Sequence, residues 1–189
     1  MKSSTEKLTA QQALSICDFL IARIVLENGQ WPGPLETARV LDFERLHSKD
    51  DCFIMYVTQH KTSKAGPAPL TLSPNLKTNI EAYIMNIRAL IAKEDEQALF
   101  VTANGTAFTP GTIGKRVTEW WRKATGKHIS STSLRKMHSS NLIDEDDVNK
   151  RSVHTLMCHS ARTAEKHYMI NRLADAAAKG HKVLVQNIK

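Results

Sequence analysis

Apolar side chains recur at helical spacing between Leu8 and Leu26, through Leu14, Cys17, Ile21, Ile24 and Val25. Asn28-Gly29 supplies a stop, so the chain opens on an amphipathic helix. Pro32, Gly33 and Pro34 then break the pattern, and ETARVLDFERL suits one or two short helical turns. The period changes at Cys52–Gln59 (CFIMYVTQ), a β-branched and aromatic run, and again at Ala68–Leu72 after the turn-rich KTSKAGP. These two runs predict a β-hairpin with Lys61 at or near its tip. Ser73-Pro74 pairs a capping residue with a proline in the first turn, and Leu76, Ile80, Tyr83, Ile84, Ile87 and Leu90 continue a long core helix from it. Ala98–Thr102 has the composition of a third short strand. Thr109-Pro110 repeats the start signal for a helix through Trp120 and Trp121, stopped by Gly126. Helices are predicted beyond it over Ser133–Ile143, Glu145–Met157, Thr163–Ile170 and Leu173 to about Gln186, the last weakened by Gly180.

One small antiparallel sheet placed early among helices makes the fold class mostly α, of the α+β kind, and that alone names no function. With 189 residues, 41% hydrophobic and 24% charged, residues 1–189 fit one globular domain. No linker or internal repeat divides them. There is no apolar run long enough to cross a bilayer, and MKSSTEKLTAQQ lacks the order of a secretion signal. A soluble, intracellular protein without a membrane partner is expected, nuclear if eukaryotic. Cys17, Cys52 and Cys158 are odd in number and widely spaced, which speaks against a disulfide framework and for small core residues.

Charge adds a partner. Lys and Arg exceed Asp and Glu by 26 to 19, a net +7, which favours polyanions. Much of the excess is concentrated in Lys115, Arg116, Arg122, Lys123, Lys127, Arg135 and Lys136, against the single acid Glu119. Such clustering suits phosphate contacts, although a solvated helix face explains any one such run equally well.

The sharpest local pattern is His159-Ser160 followed by Tyr168 in LMCHSARTAEKHYMI, with Arg135 upstream in TSLRK. Here the chain resembles the catalytic domain of the tyrosine recombinase or phage integrase family, over about Leu14 to Met169. That family carries, in order, an arginine, a hairpin lysine, a His-x-x-Arg motif, a second histidine and a nucleophilic tyrosine nine residues further on. Tyr168 stands nine residues beyond His159, and Lys61 lies 74 residues ahead of Arg135. NGQWPG, HKTSKAGPAPL and SLRK look most like the recombinases of eukaryotic mobile elements such as Cryptons.

The resemblance implies a role for each residue. A phosphodiester under attack gains charge on its non-bridging oxygens, and fixed cationic donors stabilise that charge, with arginine the best geometric fit. Arg135 would hold the phosphate and His159 would donate to it. Tyr168 would attack to form a phosphotyrosine ester, conserving the bond energy without metal or cofactor. Lys61 would protonate the departing 5′ oxygen. Lys64, Lys115, Arg116, Arg122, Lys123, Lys127 and Lys136 would contact DNA. Each has a plainer rival: a core tyrosine at Tyr168, turn lysines at Lys61 and Lys64, a surface phosphate contact at Arg135. A metal site from His154, Cys158 and His159 lacks a matching second ligand pair and is rejected.

Two positions depart from the family. Trp31 stands where the first catalytic arginine belongs, and PGPLE after it brings no replacement cation. Arg39, two helical turns on, would reach the phosphate only in a different register. Thr132, three residues before Arg135, replaces the usual histidine or lysine and keeps one hydrogen bond to donate. By analogy with arginine fingers, one missing arginine costs on the order of 10³ to 10⁵ in rate, about 4 to 7 kcal/mol. Two readings follow: a weakened DNA strand transferase acting on duplex DNA, or a domesticated DNA-binding or assembly module with little or no cleavage. The family also implies a separate amino-terminal DNA-clamping domain. Only short polar sequence precedes the first helix, so a fragment or reduced version is expected, with an amphipathic tail after Tyr168 that packs on this domain or on a neighbour in a tetramer on DNA.

Overall fold

A computed structural model describes residues 8–60, 63, 66–140 and 146–157. The first helix, α1 (Ala10–Asn28), starts at Thr9, whose side chain accepts from the Gln12 amide while Gln12 bonds back to the Thr9 amide. This reciprocal cap satisfies two of the orphan donors of the first turn. Ala13, Cys17, Leu20, Ile21, Ile24 and Val25 are all buried, the recurrence of one helix face. α1 lies at the centre of the domain and packs against α4, α6 and strand β3.

Two short helices follow the proline break, α2 (Gly33–Thr37) and α3 (Val40–Glu44). They lead into a three-stranded antiparallel sheet of order β1-β2-β3, with β1 His47–Lys49, β2 Cys52–Val57 and β3 Ala68–Leu72. The β2–β3 register pairs Phe53 with Leu72 and Val57 with Ala68. Met55, Val57, Ala68, Leu70 and Leu72 face the core in alternation, the period-two pattern of a half-buried sheet.

The Ser73-Pro74 signal holds: Ser73 Oγ accepts from the Leu76 amide at 3.4 Å and α4 runs Pro74–Tyr83. The predicted continuation to Leu90 is interrupted by a π-helical turn, Ile84–Arg88, before the short α5 (Ala89–Ile91). One extra residue in that turn shifts the helix face by roughly 100°. Leu90, predicted to face the core, is instead 74% exposed, like Met85. The same turn sets Arg88 to donate to the Ala98 and Glu96 carbonyls at 2.9 and 2.5 Å.

Ala98–Thr102 is not the third strand. It makes isolated bridges to Arg39 and Ala107, while Leu99, Phe100 and Val101 are buried in the core. The third strand is β1, whose residues are all exposed and carry no apolar signal. After α6 (Thr112–Thr125), stopped by Gly126 in the left-handed conformation, come α7 (Ser131–Ser140) and α8 (Asp147–Leu156). The helices expected over Thr163–Ile170 and from Leu173 lie outside the described residues. Among the described residues no helix is long and apolar enough to cross a membrane.

Candidate active site and nucleic-acid interface

The site is built from the exit of α1. Gly29 ends that helix at φ 58°, a conformation that costs an L side chain strain, and its amide bonds to the Val25 carbonyl at 3.0 Å. Close approach excludes a side chain as well. A Cβ on Gly29 would meet Met157 Cε at 2.8 Å and His138 Cδ2 at 3.0 Å. His138, on α7, also places its Nε2 3.2 Å from the Leu26 carbonyl. The loop after α1 is therefore in contact with α7 and with the residue that follows α8.

Two amides fix this loop. Asn28, 2% exposed, donates to the Ile24 and Thr71 carbonyls at 3.0 and 2.9 Å and accepts from the Thr71 amide at 2.7 Å. Gln30, 1% exposed, donates to the carbonyls of Pro69 and Leu156. Trp31 comes next and is half-buried. Its indole lies over Gly33, where a Cβ would overlap the ring, so Gly33 makes room for the tryptophan.

Arg135 sits on α7, whose first turn is closed by Ser130 and Ser133 in mutual hydrogen bonds. Its Nε donates to the Ser131 carbonyl at 3.3 Å. Burial pushes the guanidinium pKa down from its ordinary value, and a partly dehydrated cation acts more strongly on a phosphate than an exposed one. Thr132, one helical turn before it, is exposed. At the base of the hairpin His60 Nε2 lies 3.1 Å from the Gly66 carbonyl. Arg39 Nη2 donates to Gln59 Oε1 at 2.6 Å, and Thr37 Oγ1 donates to the Gln59 carbonyl, which ties α2 and α3 to the end of β2.

The structure thus brings the loop before Trp31 against α7, which carries Arg135, and against the end of α8. Lys61, Lys64, His159 and Tyr168 lie outside the described residues, as do Cys158 and the side chain of His154. Among the described residues no cluster of His, Cys, Asp or Glu could hold a metal ion. Sequence reasoning passed over Asn28, Gln30 and His138. The available signal was a pair of uncharged amides flanking the stop glycine of an apolar helix.

The basic cluster divides in two. Lys115, Arg122, Lys123 and Lys127 on and after α6, and Lys136 on α7, are exposed or partly so. Arg122 and Lys123 flank Glu119 at 2.9 and 3.7 Å. Arg116 instead forms a two-pronged pair with Asp18, both contacts at 2.6 Å, and lies 5.6 Å from the Phe108 ring centre, joining α6 to α1. Between these helices runs an open groove of about 670 Å³, lined by Leu14, Asp18, Lys115, Trp120 and Lys123 among others.

No protein-family model matches the chain. Tyrosine recombinase XerC of Vibrio atlanticus is 31% identical over 101 residues, covering 51% of this chain and 32% of that protein. XerC of Vibrio cholerae is 33% identical over 76 residues, 40% of this chain and 24% of its own length. The aligned region thus spans about a third or less of these relatives. Among solved structures, XerH site-specific recombinase bound to its difH substrate superposes with a TM-score of 0.63 at 16% identity, over 91% of this chain and 47% of that one. XerA recombinase gives 0.56 at 15% identity, over 88% and 60%. The Tn1549 transposon integrase in complex with transposon right-end DNA gives 0.53 at 18%, over 89% and 64%. The fold is that of tyrosine recombinase catalytic domains.

Proposed function

We propose that this chain is a DNA-binding domain of the tyrosine recombinase type, built to cleave and rejoin duplex DNA and weakened by Trp31. The observation that carries the reading is the meeting, around Gly29, of the loop that leads to Trp31, of α7 through His138 and of the end of α8 through Met157, with Arg135 one helical turn before His138 on α7. In this reading Tyr168 Oη attacks the scissile phosphorus, forming a 3′-phosphotyrosine ester and releasing the 5′ oxygen, to which Lys61 gives a proton. Arg135, His159 and the single donor of Thr132 bind the non-bridging oxygens. No metal or cofactor enters the scheme. Lys115, Arg122, Lys123, Lys127 and Lys136 supply sequence-independent phosphate contacts, with Lys64 joining them from the hairpin. NGQWPG and its companions support an origin in a mobile element. Assembly into a tetramer through the tail after Tyr168 is part of the same reading.

A second reading has its own support. Position 31 holds an indole laid over Gly33, and no cation stands between Gly29 and Ala38. A domain in that state binds DNA without cutting it. Nicked, labelled duplexes from a random-site pool separate the two through a covalent protein–DNA band, with Tyr168→Phe as control and Trp31→Arg alongside. A band from the natural sequence that disappears in Tyr168→Phe supports the strand transferase. A band from Trp31→Arg alone supports the disabled binder, and no band in either, with a positive gel shift, overturns the assignment of nucleophile and arginine.

A further inference from the structure

We infer that Gln30 is a positioning residue, whose one amide group holds strand β3 and the end of α8 in register with the Trp31 loop. This deepens the function proposed above and rests on it for its purpose, though its geometry stands alone. The Gln30 nitrogen is shared between two carbonyls from distant parts of the chain, 39 and 126 positions away. Pro69 lies in β3, the strand that returns from the hairpin. Leu156 is the last residue of α8, three positions before His159. Trp31 is the next residue of the loop itself. One side chain therefore ties together the backbone of the three segments that carry the proposed chemistry.

The chemistry of the contact selects this residue type. Two carbonyls facing one atom require two donors, and among uncharged side chains only the amide NH₂ of Asn or Gln supplies them from one nitrogen. A carboxylate would repel both. An apolar residue of equal volume would fill the space but leave both carbonyls without this donor. The cost is visible in the same side chain: Gln30 Oε1 is buried and has no hydrogen-bond partner among the described residues. Most buried polar atoms are paired, so an orphan that persists marks a place where another demand fixes the group. Here the demand is on the nitrogen. Holding β3 alone does not explain it, because Asn28 already pairs with both the N–H and the C=O of Thr71 on that edge, and Pro69 has no N–H to satisfy. What Gln30 adds is the reach to α8. A hairpin that must deliver a lysine to the scissile phosphate is thereby linked to the segment that carries the histidine.

Amide hydrogen exchange on the whole chain tests this without DNA. In Gln30→Met, peptides covering 66–72 and 150–157 should both exchange at least about tenfold faster, while those from α4 and α6 keep their rates. Asn28→Ser is the control and should loosen only the β3 side. If Gln30→Met unfolds the domain, Gln30→Glu replaces it. Its buried carboxyl keeps one donor when protonated and none when ionised, so the joint loosening should grow between about pH 5 and about pH 8, after correction for intrinsic exchange. Loosening confined to residues around 30, or to one segment without the other, overturns the inference. In the Trp31→Arg background, Gln30→Met should slow covalent-complex formation at least about tenfold with DNA affinity unchanged. Absence of covalent product in that background tells against the proposed function, whereas the exchange result tells for or against the coupling by itself.

Discussion

At the residue scale, the same chemical type has different worth according to where the chain puts it. Ile80 is fully buried and Met85, five residues on, is 74% exposed. Ile80→Ala should cost about 2–5 kcal/mol in chemical denaturation, whereas Met85→Ala should stay within about 0.5 kcal/mol; comparable losses at both would contradict the π-turn. Glu96 shows a second kind of leverage. Its two oxygens accept from the Ala98 and Ala107 amides at 2.8 and 2.9 Å, which closes the loop around the buried run Leu99–Val101. The bond from Ala98 is the main reason its carboxyl is held below the usual carboxylate range. A folded-state pKa lower than the unfolded one means the stabilisation is present above the unfolded value and is lost as pH falls through the folded value. Thermal melts should therefore show the natural protein more stable than Glu96→Gln near pH 7, with the gap closing as pH drops below about 4. A constant gap would show that the two amide bonds do not favour the charged form.

At the element scale, helices announced themselves because their signals are local. Gly29, Ser73-Pro74 and Gly126 are start and stop residues acting within one turn, and the boundaries they set fall within a few residues of the expected ones. The hairpin strands were legible for the same reason, through the β-branched and aromatic run at Cys52–Val57 and the turn-rich KTSKAGP before Ala68–Leu72. β1 was not, because an exposed three-residue strand exists only through its pairing with β2, which no local pattern records. The apolar composition of Leu99–Val101 reflects burial, and burial alone does not distinguish a strand from a packed loop. The π-turn was hidden too, since one inserted residue is stabilised by Arg88 reaching carbonyls ten and eight positions away. The free edge of β3 carries the prediction of this scale. Asn28 takes the place of a neighbouring strand at Thr71, so Asn28→Ala leaves a half-buried N–H and C=O together without their partner. A loss of about 1–3 kcal/mol for each unsatisfied group is expected in urea unfolding. A loss below about 1 kcal/mol would mean that water replaces the amide freely.

At the scale of the whole molecule, the candidate site was legible as a list of residue types in order but not as a place. Arg135, Trp31 and Thr132 were named from the resemblance to a family's motif order, yet the hydrogen bonds that bring α1, β3, α7 and α8 together run through Asn28, Gln30 and His138, whose partners lie far along the chain. The basic cluster needed the fold as well, because sequence counts charges without saying which are already paired inside the domain. Arg116 is one of these. Its fork is closed by Asp18, whose side chain is only 17% exposed, so the pair joins two helices. Lys115, Lys123 and Lys127 face solvent. The two groups should separate in a salt titration of duplex binding, because every phosphate that a lysine no longer neutralises takes about 0.9 off the slope of log affinity against log salt. Replacing Lys115, Lys123 and Lys127 by glutamine one at a time should lower that slope by about one each while the melting temperature holds. Arg116→Gln should do the reverse: it leaves a half-buried carboxylate unpaired, lowers the melting temperature by several degrees, and keeps the slope. A slope unchanged by all three lysine substitutions would remove this face from the DNA interface, and a slope that falls with Arg116→Gln at constant stability would mean Asp18 releases the arginine when DNA binds.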